Sequence, residues 1–194
     1  MRFLTACGTF TLVLALVCPS PPVAAQTMDQ NRRITNGEIV TWVEDTGQAL
    51  KTCVAIGIID VAPDKVYRAM TDFANYPKVF KALNTAKVLK NDGHEADVAY
   101  TMTPPWPFTE RKLTMRTVMN PGARLIKYHV IGGNVTTYEG QMTAALWGNN
   151  RTRFTYRTRI DPGLVLPAAI ITWGTQVSLP GVVKDVARYA KALP

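Results

Sequence analysis

The chain holds two serines, Ser20 and Ser178, and two histidines, His94 and His129, so the inventory for nucleophilic chemistry is short. Neither serine stands in the glycine-flanked strand-to-helix turn that exposes a hydroxyl nucleophile. Ser178 precedes Leu179-Pro180, where capping the following turn is its simpler role. A serine hydrolase is excluded. His94 follows a turn glycine with Glu95 and Asp97 nearby, but neither histidine has the spacing partners of a zinc site, and no glycine-rich phosphate loop occurs. No metal and no cofactor is expected. Glu110 adjoins Arg111-Lys112, where ion pairing accounts for it. Glu139 alternates with Tyr138 and Met142, which puts it on the strand face turned away from the core. With no inward acid or histidine, no residue is assigned a catalytic role.

The positive signal is a period-two pattern. Val98, Tyr100 and Met102 share one strand face; so do Leu113, Met115 and Thr117, then Ile126, Tyr128 and Val130. Tyr138, Met142, Ala144 and Leu146, followed by Phe154, Tyr156 and Thr158, repeat it. The inward set mixes adaptable methionines with tyrosines that carry a hydroxyl on an apolar ring. Such residues either fill a core or line a cavity. On the opposite face Arg151, Arg153, Arg157 and Arg159 form a basic stripe, with Arg111, Lys112, Arg116 and Lys127 nearby. A wet sheet face accounts for it, and an anionic bilayer surface is the partner it would suit. Trp106 and Phe108, in the proline-stiffened loop that includes Pro104-Pro105-Trp106-Pro107, are candidates for membrane contact or for a cavity lid.

These side chains need an antiparallel sheet to present them. Strands are expected at Gly37–Asp45, Leu50–Asp60, Ala86–Lys90, Asp97–Thr103, Arg111–Met119, Arg124–Ile131, Thr137–Trp147 and Arg151–Ile160. Turn clusters such as Asn91-Asp92-Gly93, Asn120-Pro121-Gly122 and Gly148-Asn149-Asn150 separate the later strands and make neighbours antiparallel. Asp60 is a candidate cap for a helix opening at Pro63-Asp64, whose apolar row is Val66, Tyr67, Met70 and Phe73. Asn75-Tyr76-Pro77 is expected to interrupt it before a short helix over Lys78–Leu83. Leu164–Leu193 reads as a long helix, bent near Pro180-Gly181, whose row Ile170, Trp173, Val177 must lie on the sheet. The fold class is α+β.

At 194 residues the chain has the length of one domain with extensions. Hydrophobic residues make up 47% and charged residues 19%, which excludes a disordered chain, and the formal charge is +8. Residues 1–25 read as a secretory signal: Arg2, an apolar run from Phe3 to Cys18, the breaker Pro19-Ser20-Pro21-Pro22, and small residues through Ala25. The apolar run is short for a membrane span of ~20 residues. Cleavage there leaves Cys53 as the single cysteine, so no internal disulfide forms and Cys53 reads as a small buried hydrophobe. Residues 26–35 form a polar, flexible segment and residues 36–194 the domain. The expected compartment is outside the cytoplasm, in a bacterial periplasm, which leaves nucleic acid out as a partner.

Ile59–Tyr67 (IDVAPDKVY) followed by Met70–Pro77 (MTDFANYP) resembles the opening of the START-like lipid-transfer and polyketide-cyclase superfamily, also called SRPBCC. The Gly140 strand, the Phe154–Tyr156 strand and Leu179-Pro180 also sit where that superfamily carries them, over about residues 36–193. The branch with coenzyme Q-binding and exported START-like proteins looks most similar. The resemblance implies a helix-grip fold, a long antiparallel sheet wrapped around a C-terminal helix, with a cavity between them for a hydrophobic molecule such as a lipid, quinone or polyprenoid. Candidate ligand contacts are Phe80, Tyr100, Met102, Met115, Tyr128, Met142, Tyr156 and Trp173. The expected activity is binding, and transfer, by apolar burial. The alternatives are a cyclase- or dehydratase-like enzyme with Tyr128 or Tyr156 as acid, and an interaction domain that uses its basic face.

Overall fold

The computed structural model describes residues 27–44, 50–103, 109–161 and 178–194. Helix α1 (Met28–Thr35) leads into strands β1 (Val40–Glu44) and β2 (Thr52–Ile59). Helix α2 (Pro63–Thr71), a 3-10 turn (Phe73–Asn75) and helix α3 (Tyr76–Val79) follow. The meander comprises β3 (Leu83–Asn91), β4 (Glu95–Met102), β5 (Arg111–Asn120), β6 (Leu125–Gly133), β7 (Thr137–Trp147) and β8 (Arg151–Asp161). Helix α4 (Leu179–Ala192) ends the chain. This is the expected α+β arrangement, and the six later strands fall where the alternation puts them.

All eight strands form one antiparallel sheet in the order β1-β2-β8-β7-β6-β5-β4-β3. The meander supplies six strands by short turns. Its last strand then pairs with β2, from Cys53↔Thr158 to Ile59↔Thr152, so the early hairpin extends the sheet on the β8 side. Helices α2 and α4 pack together and against the inner face, α2 over β6–β8 and α4 over β2 and β8. Gly57 makes this approach possible. A Cβ at that position would lie 2.9 Å from a Val183 methyl on α4 and 3.2 Å from Ile39. The main core joins Ala55 and Ile59 of β2, Val66 and Met70 of α2, Phe73, Val79, and Val183 and Val186 of α4 to the inward residues of the meander.

Several local features differ from expectation. Residues 28–35 are a helix where a flexible segment is expected. Thr27 and Gln30 close a reciprocal capping box, and Ile34 is fully buried against Val40, Val54 and Ile56 in a small second core on the outer sheet face. Asp60 does not cap α2: the cap position is Ala62, without a side-chain bond, while Pro63 occupies the first turn as expected. Pro77 does not interrupt the chain. It sits in the first turn of α3, where a missing N–H costs nothing, so the short helix runs Tyr76–Val79 and β3 begins already at Leu83. Pro180 likewise stands in the first turn of α4 and not at a bend between described turns. The upstream part of the expected helix, with Ile170, Trp173 and Val177, and the Trp106 and Phe108 loop lie outside the described residues. Leu146, expected inward, is 64% exposed. Pairing between β6 and β7 covers Leu125↔Thr143 to His129↔Glu139, so the last residues of β7 run on with β8 alone, past the core.

Candidate functional site

Between the inner face of the sheet and the helices lies an apolar cavity of about 120 Å3. Phe80, Tyr100, Met102, Met115, Tyr128, Met142 and Tyr156 all line it, so the structure gathers seven of the eight ligand contacts expected from the sequence; Trp173 lies outside the described residues. The β-alternation is what brings them together, since each strand from β4 to β8 sends every second side chain to one face. Leu113, Thr117, Ile126 and Tyr138, read from the same phase as inward, also line the space. Tyr76, Leu83 and Val182 join them without having been singled out. Tyr76 was legible in principle: it stands three residues after Phe73 and four before Phe80, and its ring meets each of theirs edge to face, at centroid distances of 5.3 and 4.9 Å. Tyr76 also stacks on Tyr100 at 5.6 Å and donates its hydroxyl to the Met70 carbonyl.

The polar content of the cavity is a cluster of tyrosine hydroxyls. Tyr138 and Tyr156 share a hydrogen bond of 3.1 Å. The Tyr128 ring meets Tyr138 edge on, at 5.6 Å, and its buried hydroxyl lies near Tyr156 and Thr158 but completes a hydrogen bond with neither. The Thr158 hydroxyl instead donates to the Glu139 carbonyl at 3.2 Å. Gly140 on β7 makes room for this cluster, because a Cβ there would stand 2.6 Å from the Tyr128 hydroxyl and 2.1 Å from the Arg157 carbonyl. Burial pushes the phenols of Tyr76, Tyr100, Tyr128, Tyr138 and Tyr156 well above the ordinary tyrosine range, with neighbouring tyrosines adding to the effect. They therefore stay protonated and neutral. No Lys, Arg, His, Asp or Glu lines the cavity among the described residues.

The outer face is charged but internally compensated. Arg157 pairs with Glu44 and Arg159 with Glu139. Arg151 stands 3.8 Å from Asp60, and the Arg153 guanidinium lies 5.5 Å from the centre of the Trp147 ring. Arg116 holds Asp97 through two bonds of 2.8 Å, which keeps that carboxyl below the usual range. The basic stripe is thus a set of ion pairs and ring contacts, not a bare row of cations. Glu44 had no signal in the sequence. It is 4% exposed, and Trp42 donates its indole N–H to it at 3.2 Å. His129 sits on the same face, in register with Arg116 on one side and Glu139 on the other. His94 is exposed in the β3–β4 turn, Glu110 lies 3.7 Å from Lys112, and Cys53 is half-buried beside the main core. Among the described residues no cluster of three His, Cys, Asp or Glu side chains stands within reach of a common metal ion. No described helix is long and apolar enough to cross a membrane.

The architecture matches solved structures throughout most of its length, at sequence identities that speak for the fold alone. Human STARD10 superposes with a TM-score of 0.67 at 13% identity, covering 88% of this chain and 82% of that one. A STAR-related lipid transfer protein from Xanthomonas axonopodis gives 0.63 at 17%, covering 79% and 93%. The Zhui aromatase/cyclase from Streptomyces sp. R1128 gives 0.63 at 14%, covering 73% and 94%. No curated protein matches the sequence significantly. The helix-grip fold is therefore present, and the profile of the family described as polyketide cyclase / dehydrase and lipid transport matches residues 59–193. The chain belongs to that family.

Proposed function

We propose that this protein binds a hydrophobic small molecule between sheet and helices and shields it from water without transforming it. The observation that carries the reading is the cavity lining: aromatic, methionine and aliphatic side chains with neutral hydroxyls and, among the described residues, no ionisable acid or base in the physiological range. An acid–base enzyme needs a group poised near neutral pH, and burial moves these phenols further from it. The STAR-related lipid transfer protein of the same fold supports the binding reading, and the aromatase/cyclase shows that the fold also hosts cyclisation. Residues 1–25 complete the proposal as a removable export signal, with residues 36–194 as the binding domain acting outside the cytoplasm.

Native mass spectrometry of the mature protein, purified gently from its exporting host and followed by organic extraction, tests the reading. A stoichiometric co-purifying lipid or quinone supports it. An empty protein whose melting temperature does not respond to a panel of lipids and quinones refutes it. The same spectrum gives the mature mass: cleavage after Ala25 predicts Gln26 as first residue, and an uncut N-terminus refutes the export signal.

A further inference from the structure

We propose that the cavity selects an uncharged ligand tipped with an acceptor oxygen, a carbonyl or hydroxyl compound, and that the Tyr128 hydroxyl donates to that oxygen. The inference rests on the binding reading above and adds the class of ligand and the residue that recognises it.

Three observations converge on Tyr128. Its side chain is 8% exposed and its hydroxyl lacks a hydrogen-bond partner, a deficit rare in folded proteins. The nearest hydroxyls are oriented to other partners: Tyr138 and Tyr156 bond to each other, and Thr158 donates to the Glu139 carbonyl, so none of them closes a bond to Tyr128. The main chain also gives way to the hydroxyl, since Gly140 lacks the Cβ that would meet it at 2.6 Å. A buried donor left open in this way, beside an apolar cavity, is complementary to an acceptor brought in by a ligand.

The same geometry fixes what the oxygen belongs to. The described lining holds no cation, so a carboxylate or phosphate head would lose its hydration without a counter-charge. A neutral oxygen is matched by the hydroxyl cluster. The volume, about 120 Å3, approaches the ~150 Å3 at which an apolar protein cavity accepts a single benzene ring. The part of the ligand seated here is therefore a compact ring or branched end that carries the oxygen.

The test uses three bicyclic probes of similar size: the ketone 1-tetralone, its parent hydrocarbon tetralin, and the anion 1-naphthoate. Their affinities for the mature protein and for Tyr128→Phe are measured by calorimetry. Because one hydrogen bond is gained and one orphaned donor removed, the tetralone-to-tetralin affinity ratio should fall by about five-fold or more in Tyr128→Phe. Tetralin should bind the variant at least as well as the wild type, and naphthoate should bind neither. The infrared carbonyl stretch of tetralone bound to the wild type, which needs no variant, should sit at the lower frequency of a hydrogen-bonded ketone. An unchanged ratio, or an alkane-like carbonyl frequency, overturns the assignment of Tyr128. Tight naphthoate binding overturns the neutral-ligand class. Either result with tetralin still bound leaves the binding reading standing; binding of none of the three probes overturns the neutral compact-ligand class as well, while the binding reading itself is decided by the native mass spectrum above.

Discussion

Removing the Tyr128 hydroxyl should stabilise the ligand-free protein, the opposite of what deleting a buried polar group from a satisfied network does. A buried donor without a partner costs about 1–3 kcal/mol, and Tyr128→Phe removes that deficit while keeping the ring and its edge-on contact with Tyr138. The void left by one oxygen is on the order of 10 Å3, a cost of roughly 0.2 kcal/mol at about 24 cal/mol per Å3. The net gain is about 1–3 kcal/mol, which for a domain of this size raises the melting temperature by roughly 2–11 °C. Tyr138→Phe is the control with the opposite sign. It breaks the 3.1 Å bond to Tyr156 and orphans that hydroxyl, so it should lower stability by about 1–2 kcal/mol. The assay is thermal and urea unfolding of the mature protein after solvent extraction and refolding, with wild type, Tyr128→Phe and Tyr138→Phe compared side by side. If Tyr128→Phe destabilises as much as Tyr138→Phe, the hydroxyl is satisfied in the free protein and the reasoning fails.

Other perturbations probe the rest of the structure. Glu44→Ala strips the buried partner from Arg157 and the acceptor from Trp42, so it should lower urea-unfolding stability by about 3 kcal/mol; a loss under ~0.5 kcal/mol would mean the pair is solvated. Gly140→Ala forces a Cβ onto the Arg157 carbonyl, backbone that cannot move away, and should cost about 3 kcal/mol or more. Gly57→Ala meets only movable side chains and should cost less, so an inverted order in chemical denaturation would contradict the close approaches described. All seven tyrosines of the chain have raised phenol pKa values, Tyr189 to about 12 through its hydrogen bond to Asp72. Above pH 10 the unfolded chain gives up tyrosine protons that the folded chain keeps, so the stability these groups contribute is whole below pH 10 and is lost as pH rises through the folded values. Phenolate absorbance should therefore appear late and together with loss of near-UV circular dichroism; a simple titration near pH 10 with the fold intact would refute the burial of the hydroxyls.

What could be read from the sequence was carried by short-range physics. Alternation of apolar and polar residues reports which face of a strand is buried, and Asn-Asp-Gly or Asn-Pro-Gly clusters report where the chain reverses. The six meander strands and most of the cavity lining were legible for that reason, down to Tyr100, Met115, Tyr128 and Tyr156 on one face. The local meaning of a proline alone leaves its role open. Pro77 breaks a helix interior but suits a first turn, and which of these applies depends on Phe73, Tyr76 and Phe80 finding a common core.

The sequence by itself thus determined the α+β class, most of the inward residues and the family, because each depends on residues close together in the chain. Tertiary structure alone decided what those residues amount to. The pairing of β2 with β8 and the Glu44–Arg157 contact join positions about a hundred residues apart, and no local pattern encodes such a partner. The burial of α1 depends on an outer apolar patch that exists only once β1 and β2 are paired. The cavity is the space left after all elements have packed, and the open Tyr128 hydroxyl is the bond left over after its neighbours have chosen theirs. Both are properties of the whole assembly of contacts, which is why they emerge only from the folded chain.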